Sequence, residues 1–249
     1  MTSRIRFTPV PTQYTGFLND VPAFPGDVFP LNVPEVIGDA SHVVLAANLV
    51  PNWIDLGGGR WKTDGHVAGE LDFELEVTPA SDTVDLRIVL TNRSTRIWAD
   101  SLAFPCLNCG DSPTLADFEC ARHWSRSGGQ FRRLVELPRT YSDRPTIQLY
   151  NVEGATPVAQ LPFLEVFHAT SNSLLEGWLA IQSRFGNRVA ASVSKPALFL
   201  FQNMEFSCIH AGPSFGTMNP GQTREALTRL YLVRSTLADW YQRMTAEMA

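Results

Sequence analysis

Residues 70–92 read ELDFELEVTPASDTVDLRIVLTN. In the first half Leu71, Phe73, Leu75 and Val77 alternate with acidic neighbours, and over 84–91 alternate positions again differ in polarity. Successive side chains of a strand point to opposite faces, so each half describes a strand with one buried and one wet face. Pro79, Ala80, Ser81 and Asp82 supply a turn between them. The stretch predicts a β-hairpin.

Short apolar segments bounded by Gly, Pro, Asn or Asp recur on both sides of it, at 42–50, 132–137, 146–151, 163–168, 178–183, 189–193, 197–201 and 226–233. Many short strands with regular turn signals indicate a sandwich or barrel. Helical periodicity is confined to 235–247, where Ser235 and Thr236 offer a cap and Leu237, Trp240, Tyr241 and Met244 form one stripe, predicting a short helix docked on a sheet. Over residues 1–40, Pro9, Pro11, Pro22, Pro25, Pro30 and Pro34 bias the backbone toward extended conformations. This reads as an ordered arm lying over the fold, with Phe17, Phe24 and Phe29 to bury. No internal repeat or low-complexity tract interrupts the pattern, and residues 1–249 are expected to form one β-sandwich domain.

The composition bounds the function. With 44% hydrophobic and 18% charged residues the chain can bury a substantial core. A net charge of -5 with no Lys/Arg cluster argues against a nucleic-acid partner. The amino terminus lacks the apolar run of a signal peptide, and no stretch approaches the roughly 18 apolar residues of a membrane span, so no membrane partner and a cytoplasmic location are expected. Four cysteines are too few for a disulfide scaffold.

From Gly177 onward the order is GWLAIQSRFGNRVAASV, then Cys208-Ile209-His210, Pro213-Ser-Phe-Gly216, Asn219-Pro-Gly-Gln222, RLYLV at 229–233 and the terminal helix. This resembles the ending of bacterial proteins of the galactose-mutarotase-like β-supersandwich superfamily, over about the last third of the chain. A fainter likeness covers the hairpin followed by Phe104-Pro-Cys106. The resemblance implies an all-β fold, a large antiparallel sandwich with a Pro-rich arm and a short carboxy-terminal helix. It also implies a broad concave sheet that receives a carbohydrate ligand. Well-studied epimerases of the superfamily use a His and a Glu as acid and base, but fold alone does not assign a reaction.

Several residues carry candidate chemistry. His210, expected at a strand end before an Ala-Gly-Pro turn, is of a type that titrates near neutrality and suits proton transfer to a sugar; the plainer reading has it bracing the turn. His168 and Glu165 lie at 163–168, where a carboxylate among phenylalanines would serve as a general acid, or would simply face outward. Trp53, Trp61, Trp98, Trp124 and Tyr150 are candidate stacking platforms for a pyranose, with Arg122 and Arg144 as polar partners, although most tryptophans of a sandwich are core. Cys106-Leu-Asn-Cys109 followed by Cys120-Ala-Arg-His123 is the sharpest spacing, C-x2-C-x10-C-x2-H. Those four residues have the ligand types of a structural zinc site, while buried cysteines also serve as small hydrophobes. Gly57-Gly-Gly59 lacks the Lys-Ser/Thr of a phosphate loop and reads as a connection between Trp53 and Trp61, and no G-x-S-x-G elbow is present.

The sequence thus points to a carbohydrate-active protein, an enzyme acting on a sugar or uronide by acid/base chemistry through epimerisation or β-elimination (an isomerase or a lyase). A non-catalytic carbohydrate-binding protein and a zinc-stapled structural or interaction domain are the alternatives.

Overall fold

The computed structural model describes residues 4–139, 146–161 and 170–248. The chain begins with strands β1 (Arg6–Pro9), β2 (Thr15–Asn19), β3 (Phe29–Asp39), β4 (His42–Leu45), β5 (Ile54–Gly57) and β6 (Arg60–Val67). It continues through β7 (Leu71–Pro79), β8 (Thr83–Asn92), β9 (Trp98–Asn108), β10 (His123–Ser127), β11 (Gln130–Arg133) and β12 (Ile147–Val152). The remaining strands are β13 (Thr170–Leu175), β14 (Trp178–Gln182), β15 (Val189–Ser194), β16 (Ala197–Asn203), β17 (Cys208–Met218) and β18 (Thr223–Val233), and helix α1 (Leu237–Glu247) closes the chain.

The strands form two nine-stranded sheets. One runs β1-β2-β3-β9-β17-β16-β12-β13 with β4 beside β3; the other runs β11-β10-β14-β15-β18-β8-β7-β6-β5. The expected hairpin is β7–β8, antiparallel from Leu71 opposite Asn92 to Pro79 opposite Val84. Its apolar positions Phe73, Leu75, Leu86 and Ile88 are buried. They meet Leu31, Ala103, Leu200 and Ile209 of the first sheet in one inter-sheet core. Full burial of each such side chain stabilises by about 1.5–3 kcal/mol.

The outer faces of both sheets are covered too. On the second sheet, Trp178, Ala191 and Tyr231 receive Leu237, Trp240 and Met244 of α1, the stripe expected from the sequence. The helix starts where Thr236 accepts the backbone N–H of Asp239. On the first sheet, Val36, Leu102, Phe104, Leu149, Phe199 and Phe201 form a separate apolar cluster. Strands β15 and β16 are therefore buried at every residue, without alternation.

The Pro-rich amino-terminal segment is extended, as expected, and does more than lie on the fold, because it supplies β1, β2 and β3 to the first sheet. Proline cannot donate to a ladder, and the β3–β9 register breaks between Asn32 and Val36, around Pro34. Unbroken alternation would send residues three apart to opposite faces; the break lets Asn32 and Glu35 border the same cavity. Residues 42–50 are a strand only to Leu45 and then turn as a 3₁₀ segment, and 132–137 likewise passes from β11 into a 3₁₀ turn over Leu134–Glu136. The segment 163–168 lies outside the described residues. No helix among the described residues is long and apolar enough to cross a membrane.

Candidate functional site

The outer face of the first sheet is apolar at one end and polar at the other. At the polar end Glu35 of β3, Cys106 of β9 and His210 of β17, three neighbouring strands, meet at a cavity of about 290 Å³. Their ligand-capable atoms all lie within 4.8 Å of one another, the one such group of His, Cys, Asp or Glu side chains among the described residues. A second cavity of about 370 Å³, bordered by Gln13 and Tyr14, shares Asn32 and Glu35 with the first. Glu35 therefore borders two hollows.

His210 is locked in place. It is 1% exposed. Its ring stacks on Phe201 with centroids 4.3 Å apart and meets the edge of Phe104. Nδ1 lies 2.9 Å from the Phe201 carbonyl, a group that can only accept, so Nδ1 carries a proton and donates it. Nε2 faces Glu35 Oε2 at 3.2 Å. Glu35 keeps 36% of its side chain exposed, so it is the member of the pair a ligand reaches. Burial pushes its carboxyl up, but the hydrogen bond and charge of His210, helped by Cys106, more than offset that and hold it below the usual carboxylate range. The hydrogen bond with Cys208, and then burial, push the Cys106 thiol well above its ordinary value.

Polar groups suited to a hydroxylated ligand ring this centre. Asn32 accepts from Thr15, Asn108 from Gly110 N–H and Asn203 from Glu205 N–H, each through its side-chain oxygen. That leaves three NH₂ groups on residues bordering the cavity. Phe206, 52% exposed, offers a ring at its edge.

His210 thus joins the site, though from inside a strand, because Ala211, Gly212 and Pro213 continue β17 and do not turn. Cys106 joins it as well. Glu35, Asn32, Asn108, Asn203 and Phe206 are additions that the sequence reading did not single out. The Cys106, Cys109, Cys120, His123 set does not converge. Residues three apart on an extended strand point to opposite faces, so Cys106 borders the outer cavity while Cys109 enters the inter-sheet core. Cys120 Sγ accepts the Gln202 amide, and His123 Nδ1 pairs with Asp117 at 2.8 Å. Burial lowers the His123 pKa, and Asp117 opposes that.

The expected sugar platforms are dispersed. Trp53 packs on Phe7 and donates to Gln13 O, and Trp61 packs against the inter-sheet core. Trp98 is buried, with its indole N–H on Ser94. Trp124 packs with the cluster under α1, and Tyr150 is buried with its hydroxyl on Gln202. Arg122 holds the carbonyls of Leu115, Ala116 and Gln182. His168, Glu165 and Arg144 lie outside the described residues. A larger cavity, about 460 Å³, is bordered by α1 and β14 and by three carboxylates, of which Glu176 is held by Arg126, Trp178 and Tyr241 and Asp100 accepts from Thr156, while Glu153 is the third.

No protein-family model matches the sequence, and no curated protein does. Solved structures do share the fold. An α-N-acetylgalactosaminidase from Bifidobacterium bifidum, in complex with GalNAc, aligns with all of this chain at a TM-score of 0.55 and 12% identity. An α-mannosidase from Enterococcus faecalis aligns with 94% of it at 0.53 and 7%. The chain spans 38% and 29% of those two proteins. A galactose mutarotase-like protein from Lactobacillus casei matches end to end, over 92% of this chain and 100% of its own, at 0.44 and 9%. At these identities the likeness is one of fold alone: the chain shares an all-β architecture with the two glycosidase structures, here built as two nine-stranded sheets.

Proposed function

We propose that the protein is carbohydrate-active and that the cavity at Glu35, Cys106 and His210 receives a sugar or uronide for acid/base chemistry, epimerisation or β-elimination. The observation that carries this reading is the Glu35–His210 pair, a carboxylate open to the cavity backed by an imidazole whose other nitrogen is fixed on a backbone carbonyl. Glu35 takes or gives the substrate proton, and His210, behind it, positions the carboxylate. The three asparagine NH₂ groups match hydroxyl or carboxylate oxygens, and Phe206 offers a face to the C–H side of a ring. Two of the proteins sharing the fold are glycosidases, one in complex with GalNAc, which supports the substrate class.

The test is NMR turnover on a panel of aldoses and uronides with wild-type, Glu35→Gln and His210→Ala proteins. Loss of turnover of at least about 100-fold in Glu35→Gln is expected, in line with the 10²–10⁴-fold typical of a general acid or base. Saturable sugar binding with no product from any substrate selects the non-catalytic carbohydrate-binding alternative. Neither binding nor turnover overturns the reading.

A further inference from the structure

We infer that Glu35, Cys106 and His210 form a binding site for a divalent transition metal of the zinc class, with one coordination position open to the cavity. The first argument is a conflict of lone pairs. Because Nδ1 of His210 donates its proton to the Phe201 carbonyl, Nε2 is the nitrogen directed at a carboxylate oxygen 3.2 Å away, and without a proton on it both atoms are acceptors. Two acceptors at that distance need a cation between them, either a shared proton or a metal. The second argument is the third member. A proton would satisfy the pair alone, whereas Cys106 Sγ also falls within 4.8 Å of both atoms, which suits a shared ion.

The geometry agrees. Metal bonds of about 2.0–2.2 Å to N and O in a tetrahedron place those two ligand atoms roughly 3.3 Å apart, against the 3.2 Å found. A histidine ligand that donates its remote N–H to a carbonyl is the usual outer-shell arrangement, and His210 already has it. The ligands come from three adjacent strands of one sheet, a rigid frame for the set. An N, O, S donor set favours zinc or cobalt over magnesium or calcium. Binding is balanced by loss to solvent of two protons, the one shared by Glu35 and His210 and the Cys106 thiol proton. Three protein ligands leave the fourth position for water or a ligand oxygen. Only the assignment of that position to a sugar oxygen rests on the functional reading above.

The test uses the full chain, stripped with chelator and titrated with Zn²⁺ by calorimetry and with Co²⁺ by absorbance. The expected result is about one ion per chain with a thiolate-to-Co²⁺ charge-transfer band. That band disappears in Cys106→Ser, and affinity falls at least about 100-fold in His210→Ala and Glu35→Gln, beyond the 10–100-fold typical of outer-shell changes. Cys109→Ser and Cys120→Ser, whose thiols lie elsewhere, leave both signals unchanged. Circular dichroism of each variant separates lost ligation from lost fold. Less than about 0.1 ion per chain, or a band that survives Cys106→Ser, overturns the inference and leaves a proton-bridged pair. The two readings fail separately. Metal binding without sugar turnover or binding overturns the function and keeps the site, while turnover indifferent to chelator and dependent on Glu35 keeps the function, and the metal titration then decides the site by itself.

Discussion

Phe104 offers the sharpest test of the packing beneath the site. It lies in β9, is fully buried, and meets Phe199, Phe201 and His210 edge-on at centroid separations of 5.2, 6.4 and 5.8 Å. Phe104→Ala removes a fully buried ring packed against Phe199, Phe201 and His210, and the loss should fall in the range of about 3–5 kcal/mol for buried aromatic-to-alanine changes. Phe104→Leu keeps most of the volume and forfeits mainly the ring–ring geometry, about 0.5–1.5 kcal/mol on top of a small repacking cost. For a chain of this size each kcal/mol lowers Tm by roughly 2–4 °C, so the alanine variant should melt about 6–20 °C lower and the leucine variant only a few degrees lower. Urea unfolding by tryptophan fluorescence gives the free energies, and thermal circular dichroism gives Tm. An alanine variant within about 1 kcal/mol of wild type would refute the claim that the outer face of this sheet is a packed core.

Trp240→Ala should cost a similar amount, about 3–5 kcal/mol, because the ring is buried against Trp178 and Tyr231; a wild-type urea midpoint would mean that α1 is not docked. Glu35 sets a pH dependence. Its carboxyl is held below the ordinary value in the fold, so its contribution is full above that value and disappears as pH falls through the lowered one. In chelated buffer the stability gap between wild type and Glu35→Gln should therefore narrow as pH falls from above the ordinary glutamate range through the lowered value, and a gap that stays constant argues against the pairing. Asp117→Asn weakens contacts to Arg122 N–H at 2.6 Å and to buried His123, and should cost about 2–4 kcal/mol in the same urea assay. Gly38→Ala drives a methyl group into the backbone of His42 and Val43, so insoluble or strongly destabilised protein is expected, and a normal Tm would contradict the β3–β4 pairing.

How much of this was legible in advance depends on which faces of each strand are wet. The β7–β8 hairpin has one solvated face, so its alternation is written in the chain, and α1 is legible for the same reason with a helical period. Strand β17 lies between β9 and β16 with nearly all of its first half buried, so no alternation marks it, and Ala-Gly-Pro at 211–213 looks like a turn although it continues the strand. The Cys-Ile-His element was visible as a pattern, yet its neighbours Glu35 and Cys106 are separated from His210 by 175 and 104 positions. Local spacing instead suggested a Cys/His set at 106–123, which strand geometry splits between two faces.

The sequence alone determined that the chain is a β-rich sandwich closed by a terminal helix, because those features follow from local periodicity and turn residues. Tertiary structure alone decided the site. Only the order β3-β9-β17, set by long-range pairing and by the register break at Pro34, brings a carboxylate, a thiol and an imidazole to one point. Ligand convergence is a property of distance in space, and no spacing along the chain encodes it.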